Sequence, residues 1–312
     1  MELKPVIPFE PVKVDKLPEG DEWIAQVKWD GVRILTYFDG DKVRLFNRKL
    51  NERTLQFPEL VNLSRYCSAS STVLDGEVIA LQEGKPSFQT VMKRDRVTQR
   101  GRVPRAMKET SIIYMIFDIL FYNGKWVLDL PLNQRQEILT ENITPHDEIQ
   151  LVENFDDAQA LCDVVTAQGL EGIVCKDLTS KYGIKGKDRR WQKLKNYLDL
   201  IAVVGGVTFR GDIVNAILLG LYDRTGQLWY IGHAGTGKLT MSEWRALTER
   251  IKPLIIRQRP FVNKPERIKT AIWLQPSLTA KIKFVEWTSG QTLRQPSIQA
   301  FVEIPPEECL FE

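Results

Sequence analysis

At 312 residues the chain is long for a single core, so two domains are expected, and its 43% apolar and 27% charged residues exclude wholesale disorder. A net charge of +3 is too small to mark a polyanion partner globally, so any nucleic-acid footprint must be local. Four cysteines without Cys-x-x-Cys spacing and only two histidines argue against a Cys/His zinc site, while the absence of a signal-peptide pattern and of any apolar run of spanning length points to a cytoplasmic, reduced protein.

Residues 1–22 are proline-rich and mixed in charge, as suits an extended lead-in. Trp23, Ala25 and Val27 then alternate on one face of a half-buried strand that ends at Lys28. Asp30-Gly31 supplies a turn and Val32-Arg33-Ile34-Leu35 resumes a strand, so the stretch reads as a hairpin or a sharp strand junction. A lysine held at the rim of a sheet can be a nucleophile where its surroundings keep enough of it deprotonated, although most such stretches are solvated turns. Residues 57–66 suit a short helix. Residues 72–80 form a strand interrupted by Asp75-Gly76-Glu77. Burying two carboxylates there is costly unless they are paired or metal-bound.

Residues 93–108 carry seven cations, Lys93 and Arg94 through Lys108, against the single acid Asp95. They form either a solvated face or a flexible arm touching phosphates. The nearly continuous apolar run 112–121 is a central strand with Asp118 inside it. Helices are expected over 131–140, started by Pro131, and from Asp156 as N-cap to Gln168. Residues 169–176 form a further strand, and an extended segment 189–195 places Lys193 and Lys195 on one face with Trp191 beside them. Beyond residue 199 short strands (200–209, 213–222, 227–231), one helix (242–254) and a strictly alternating strand (278–287) follow. This set fits a small closed barrel of the oligonucleotide-binding type, with a generic five-stranded sheet as the alternative.

The charges that interrupt the earlier strands are Lys28, Asp30, Arg33, Arg48, Asp75, Glu77, Asp118, Glu171, Lys193 and Lys195. Glu77 and Glu171 could hold a divalent cation, the cationic residues could clamp phosphates, and Phe117 or Trp191 could stack on a base. That chemistry suits lysine attack on the α-phosphate of a nucleotide.

Lys28-Trp29-Asp30-Gly31 with Arg33 resembles the Lys-x-Asp-Gly motif of the covalent nucleotidyltransferases. Asn47-Arg48 with Phe57-Pro58-Glu59-Leu60, Asp75-Gly76-Glu77, Tyr114 to Asp118, Glu171-Gly172-Ile173-Val174-Cys175-Lys176 and Trp191-Gln192-Lys193-Leu194-Lys195 follow in that family's order. The last two forms are similar to those of ATP-dependent DNA ligases. Phe209-Arg210-Gly211, residues 232–237 and Arg294-Gln295-Pro296-Ser297 resemble the barrel domain of bacterial end-joining-type ligases.

The resemblance implies an α+β chain: an adenylation (nucleotidyltransferase) domain of antiparallel sheets with flanking helices over 1–198, then an OB-fold barrel over 199–312. It implies sealing of 5′-phosphate/3′-hydroxyl nicks in double-stranded DNA, with ATP as AMP donor, Mg2+ or Mn2+ as metal, and a monomer that needs no membrane. Enzymes of this kind serve DNA replication, repair and recombination. Lys28 would form the phosphoramide with AMP and Arg33 would contact the ribose or a phosphate. Arg48 would bind AMP or the nick 5′-phosphate, while Glu77 and Glu171 would serve the metal and ribose. Phe117 would stack on adenine, Lys176, Lys193 and Lys195 would reach the phosphates, and Arg294 would orient the leaving pyrophosphate. Gln26 stands where these ligases often have a glutamate that reads the adenine amino group; an amide oxygen can accept the same hydrogen bond. Ile298 replaces an aromatic expected after Arg294. RNA ligases and capping-type guanylyltransferases share the covalent chemistry, whereas a non-catalytic nucleic-acid binder would have no need of the nucleophile.

Overall fold

The computed structural model describes residues 3–235, 237–266, 269–288 and 290–311. Its chain divides into two units, Met1–Asn196 and Tyr197–Glu312. The first contains β1 (Val12–Lys13), β2 (Trp23–Val27), β3 (Val32–Phe38), β4 (Val43–Asn47), β5 (Thr72–Ile79), β6 (Leu81–Gln82) and β7 (Lys85–Pro86). It continues with α1 (Phe88–Asp95), α2 (Val103–Glu109), β8 (Ile113–Tyr122), β9 (Lys125–Trp126), α3 (Leu132–Asn142), β10 (Ile149–Leu151), α4 (Ala158–Ala167), β11 (Gly172–Asp177) and β12 (Trp191–Lys195).

Two sheets organise this unit among the described residues, one in the order β1-β12-β11-β2 and one in the order β10-β8-β5-β3-β4. The apolar alternation of β2 seats Ala25 against Ile173 and Cys175 of β11 and against Leu161 and Val165 of α4. β8 is apolar on both faces because both are covered: Tyr114, Ile116 and Ile119 enter one core cluster, Leu120 and Phe121 another. It is the internal strand its composition called for.

The segment after Lys28 is a junction and not a hairpin, since β2 and β3 belong to different sheets. Gly31 makes the crossing, and a Cβ there would lie 2.3 Å from the Val78 carbonyl oxygen, which excludes any side chain. Residues 57–66 are two short 3-10 turns, Pro58–Leu60 and Leu63–Arg65, in place of a helix. The lead-in is more than extended: β1 pairs in parallel with β12, and Leu3 and Phe9 are core residues. The cap of α4 is Asp157, whose carboxylate accepts from the Ala160 N–H, one residue later than expected.

The second unit comprises β13 (Leu198–Arg210), β14 (Ile213–Tyr222), β15 (Leu228–Ala234), α5 (Met241–Arg250), β16 (Ile255–Ile256), β17 (Ile272–Phe284) and β18 (Ser297–Val302). Its strands run in the order β15-β14-β13-β17-β16, with β18 on β17. A bridge between Gly237 and Ile298, with the Lys238 N–H donating to the Ile298 carbonyl at 2.8 Å, joins the segment after β15 to β18 and closes the sheet. The result is the OB-fold barrel. Leu278, Ala280, Ile282 and Phe284 point into its core, as the alternation of this stretch required, but the strand ends at Phe284 and not at residue 287. A capping box between Thr240 and Glu243 starts α5. Among the described residues no helix is long and apolar enough to cross a membrane.

Candidate active site

Strand register places the lysines of the first unit. Val174 pairs with both Gln26 and Lys193, Lys176 pairs with Ile24 and Trp191, and Gly172 pairs with Lys195 while its carbonyl accepts from the Lys28 N–H at 2.9 Å. Because cross-strand partners share a face and side chains alternate, Gln26, Lys28, Lys176, Trp191, Lys193 and Lys195 lie on one face of β2-β11-β12. The opposite face is the apolar one packed on α4. Gly172 permits the close approach of β11 and β12: its φ is +142°, and a Cβ would lie 2.2 Å from the Leu194 carbonyl oxygen.

Glu171, just before β11, gathers two of the ammoniums. Its Oε2 lies 2.5 Å from Lys28 Nζ and its Oε1 lies 2.9 Å from Lys195 Nζ. Burial would raise the Glu171 carboxyl, but the Lys28 and Lys195 charges outweigh it and hold the group below its ordinary value. Lys193 is also lowered from its ordinary value, by burial first and then by the charges of Lys28 and Lys195. Two ammoniums thus share one carboxylate while Lys193 adds a third positive charge to the same sheet face, a surplus suited to phosphate oxygens.

The second sheet supplies carboxylates and rings. Arg33, opposite Glu77 in the β3–β5 register, clamps Asp75 through Nε (2.8 Å) and Nη2 (2.6 Å) and donates Nη1 to the Phe9 carbonyl at 2.6 Å. The Tyr182 hydroxyl also donates to Asp75, at 2.8 Å. The hydrogen bonds of Arg33 tie β3 to β5 and to the segment at Phe9. Asp118 is likewise an internal anion, fully buried and clamped by Arg135 at 2.8 and 3.0 Å. Arg135 also donates to the carbonyls of Leu130 and Ser180. Those two aspartates broke the strand pattern because each neutralises a buried arginine.

Glu77 differs. Burial pushes its carboxyl up to about 8, with Lys28 and Arg33 opposing and Glu171 and Asp30 adding to the rise. Lys176 is buried, its Nζ is 4.2 Å from the ring centroids of both Phe117 and Trp191, and it meets no hydrogen-bond acceptor among the described residues. Burial lowers it to about 7 against the pull of Asp118 and Asp75. A cation so placed is ready for an anionic acceptor.

The structure gathers Gln26, Lys28, Arg33, Glu77, Phe117, Glu171, Lys176, Lys193 and Lys195 around these two sheet faces. Arg48 is exposed and lies 3.2 Å from Glu10. Arg294 belongs to the second unit, where it pairs with Glu286 at 2.7 Å. Of the glycine-rich stretch 232–237, Thr236 lies outside the described residues. Sequence reading passed over Tyr182, Gln136 and Asn154. None sits in a charged strand interruption, and only the contacts of Asp75, Phe117 and Gln26 reveal them.

The resemblance of motifs extends to whole families. Residues 11–195 match the family described as "ATP dependent DNA ligase domain" and residues 210–302 match "ATP dependent DNA ligase C terminal region". The DNA ligase of Methanospirillum hungatei is 32% identical over 331 residues, covering 98% of this chain and 57% of the relative. The "Multifunctional non-homologous end joining protein LigD" of Pseudomonas aeruginosa is 29% identical, covering 94% of this chain and 35% of the relative. The chain thus spans about half or less of the length of these curated relatives. The crystal structure of the ligase domain from M. tuberculosis LigD superposes with a TM-score of 0.53 at 27% identity, covering 98% of each chain. Matched by the first family over more than half its length, the chain belongs to the ATP-dependent DNA ligases.

Proposed function

We propose that the chain seals 5′-phosphate/3′-hydroxyl nicks in duplex DNA, with Lys28 as the nucleophile that takes AMP from ATP. The observation that carries this reading is Glu171 holding both Lys28 and Lys195 at the rim of a sheet face that also carries Lys193. In the first step Lys28 Nζ attacks the α-phosphorus of ATP, the bond to the β-phosphate oxygen breaks, and pyrophosphate leaves. The proton that Nζ gives up departs along its hydrogen bond to Glu171. Lys193 and Lys195 receive the charge that builds on the α-phosphate oxygens, and Lys176 takes a phosphate oxygen as its missing acceptor. Phe117 offers its ring to the adenine and Gln26 reads the base edge. Arg48 turns from Glu10 to the 5′-phosphate of the nick, and Arg294 acts on the leaving pyrophosphate. AMP then passes from Lys28 to the 5′-phosphate, and the 3′-hydroxyl displaces it to form the phosphodiester.

A divalent cation fits the donor set. Glu77 and Glu171 are oxygen donors within each other's field, and Glu77, whose carboxyl is raised by burial first and by Glu171 in smaller part, is a buried acid whose charged form a cation would stabilise. These two residues would hold Mg2+ or Mn2+, which when bound supplies charge neutralisation at the phosphates. Among the described residues no cluster of three or more potential ligand side chains occurs, so water and phosphate oxygens would complete its shell.

Intact-protein mass spectrometry after incubation with ATP and magnesium tests the reading. An AMP adduct on the native chain that is absent from Lys28→Ala, followed by transfer to nicked duplex, is the expected result. No adduct on the native chain, or one that persists in Lys28→Ala, overturns it.

A further inference from the structure

Three side-chain amides run in series behind the lysines, and none has a part in the phosphate chemistry. Gln26 Nε2 donates to Asn154 Oδ1 at 2.7 Å, Asn154 Nδ2 donates to Gln136 Oε1 at 3.3 Å, and Gln136 Nε2 donates to the backbone carbonyl of Phe117 at 2.7 Å. The fold builds the series from three elements. Phe117 is the extra residue of a β-bulge between β5 and β8, where Asp75 pairs with Asp118 and Gly76 with Ile116. A bulged residue stands outside the regular ladder, which leaves its carbonyl for Gln136 of α3. After β10 the chain crosses to the other sheet, where reciprocal hydrogen bonds between Phe155 and Ala25 (2.8 and 2.9 Å) set Asn154 beside Gln26.

Any one amide can be turned over, exchanging its donor and acceptor ends. The far end of this series removes that freedom, because a backbone carbonyl only accepts. Gln136 must therefore give Nε2 to Phe117 and present Oε1; Asn154 must give Nδ2 to Gln136 and present Oδ1; Gln26 must give Nε2 to Asn154. What remains to Gln26 is Oε1, an acceptor that no protein donor meets among the described residues. Gln26 is itself 2% exposed and fixed in β2, so the direction of its amide is the only variable left.

We infer that Gln136 and Asn154 are positioning residues that lock Gln26 as a hydrogen-bond acceptor and thereby select a purine bearing an amino group over one bearing a carbonyl at that ring position: adenine over guanine. This rests on the proposed lysyl-nucleotide reaction and adds its base specificity. A glutamate at position 26 would accept without assistance, whereas a glutamine needs its orientation imposed. The relay imposes it from Phe117, the same residue whose ring is assigned to the base.

The test measures formation of the Lys28 nucleotide adduct from ATP and from GTP, as kcat/KM for each, in the full chain. Gln136→Leu removes the anchor, frees both remaining amides to turn, and lowers the ATP-over-GTP preference by about fivefold. Adding Asn154→Asp restores the preference, because a carboxylate at this exposed position can only accept from Gln26 Nε2 and needs no anchor. An unchanged preference in Gln136→Leu overturns the inference, and so does a loss that Asn154→Asp fails to restore, since general damage to the fold would not be repaired there. Absence of any adduct on the native chain overturns the ligase reading itself, an outcome separate from a native chain that reacts without the relay's selectivity.

Discussion

Glu171 holds two ammoniums at once from the two sides of β11, Lys28 just after β2 at 2.5 Å and Lys195 of β12 at 2.9 Å, one on each carboxylate oxygen. With the charge removed, both lysines would repel each other and Lys193 across the same sheet face. Glu171→Gln is therefore expected to slow AMP-adduct formation by about tenfold or more, since an amide cannot hold two cations in register. Rapid-quench measurement of adduct formation decides it, and a rate within about twofold of native would remove Glu171 from this role.

Three strands of the four-stranded sheet, β2, β11 and β12, were legible because their signals are local, whereas β1 carried none. Alternation at Trp23, Ala25 and Val27 and at Lys193 and Lys195 is a period-two pattern that any paired strand must obey. What lies across the chain was not. Whether β3 pairs with β2 or with β5 depends on residues as distant as Val78 is from Val32, so the junction at Gly31 read equally as a hairpin. Asp75 and Asp118 were flagged by conflict with their strands, but their partners Tyr182 and Arg135 come from remote segments that no local rule connects to them. Gln136 and Asn154 carried no signal at all, being ordinary polar residues in a helix and a connecting loop.

The Asp118–Arg135 pair stands at full burial, with exposures of 0% and 1% for the two side chains. Removing one partner leaves an uncompensated charge in the core, so Asp118→Asn should destabilise the first unit by about 3–5 kcal/mol. The surface pair of Lys181 with Asp129 offers the contrast, and Asp129→Asn should cost less than about 1 kcal/mol. Urea denaturation of both variants measures the difference. Equal midpoints would show that the buried pair is not what holds α3 to β8.

Lys176 makes stability pH-dependent in a stated direction. Its folded-state value, about 7, lies below its ordinary 10.5, so the unfolded chain binds more protons between these two values. The group's contribution is fully present above pH 10.5 and is lost as pH falls through 7. Lys176→Met lacks this loss. Its melting temperature should exceed the native value by several degrees at pH 6, with the gap closing as pH rises toward 10. A gap that stays constant across that range would mean that Lys176 does not titrate in its slot between Phe117 and Trp191.

The basic segment 93–108 divides into two classes that composition could not separate. Arg94 is 1% exposed, pairs with Glu59 at 2.7 and 2.9 Å, and donates to the carbonyls of Thr110 and Gln56. It is a structural residue within α1, and of the two alternatives the segment left open the flexible arm does not hold: it is two short helices joined by a 3-10 turn. Lys93, Arg96, Arg100, Arg102, Arg105 and Lys108 are exposed on the same segment, and with Arg105 paired to Glu109 its exposed arginines open to phosphates are Arg96, Arg100 and Arg102. Each phosphate contact releases condensed counterions, which makes affinity fall with salt at a slope set by the number of contacts. Replacing these three arginines by alanine should weaken binding to nicked duplex and reduce the slope of log K against log salt by about 2–3. Fluorescence anisotropy over a range of salt concentrations reads both quantities. Arg94→Ala should act differently, lowering stability by several kcal/mol through the orphaned Glu59. An unchanged slope in the triple variant would assign the duplex grip to other surfaces, whereas a reduced slope at native stability would tie it to the exposed arginines of this segment.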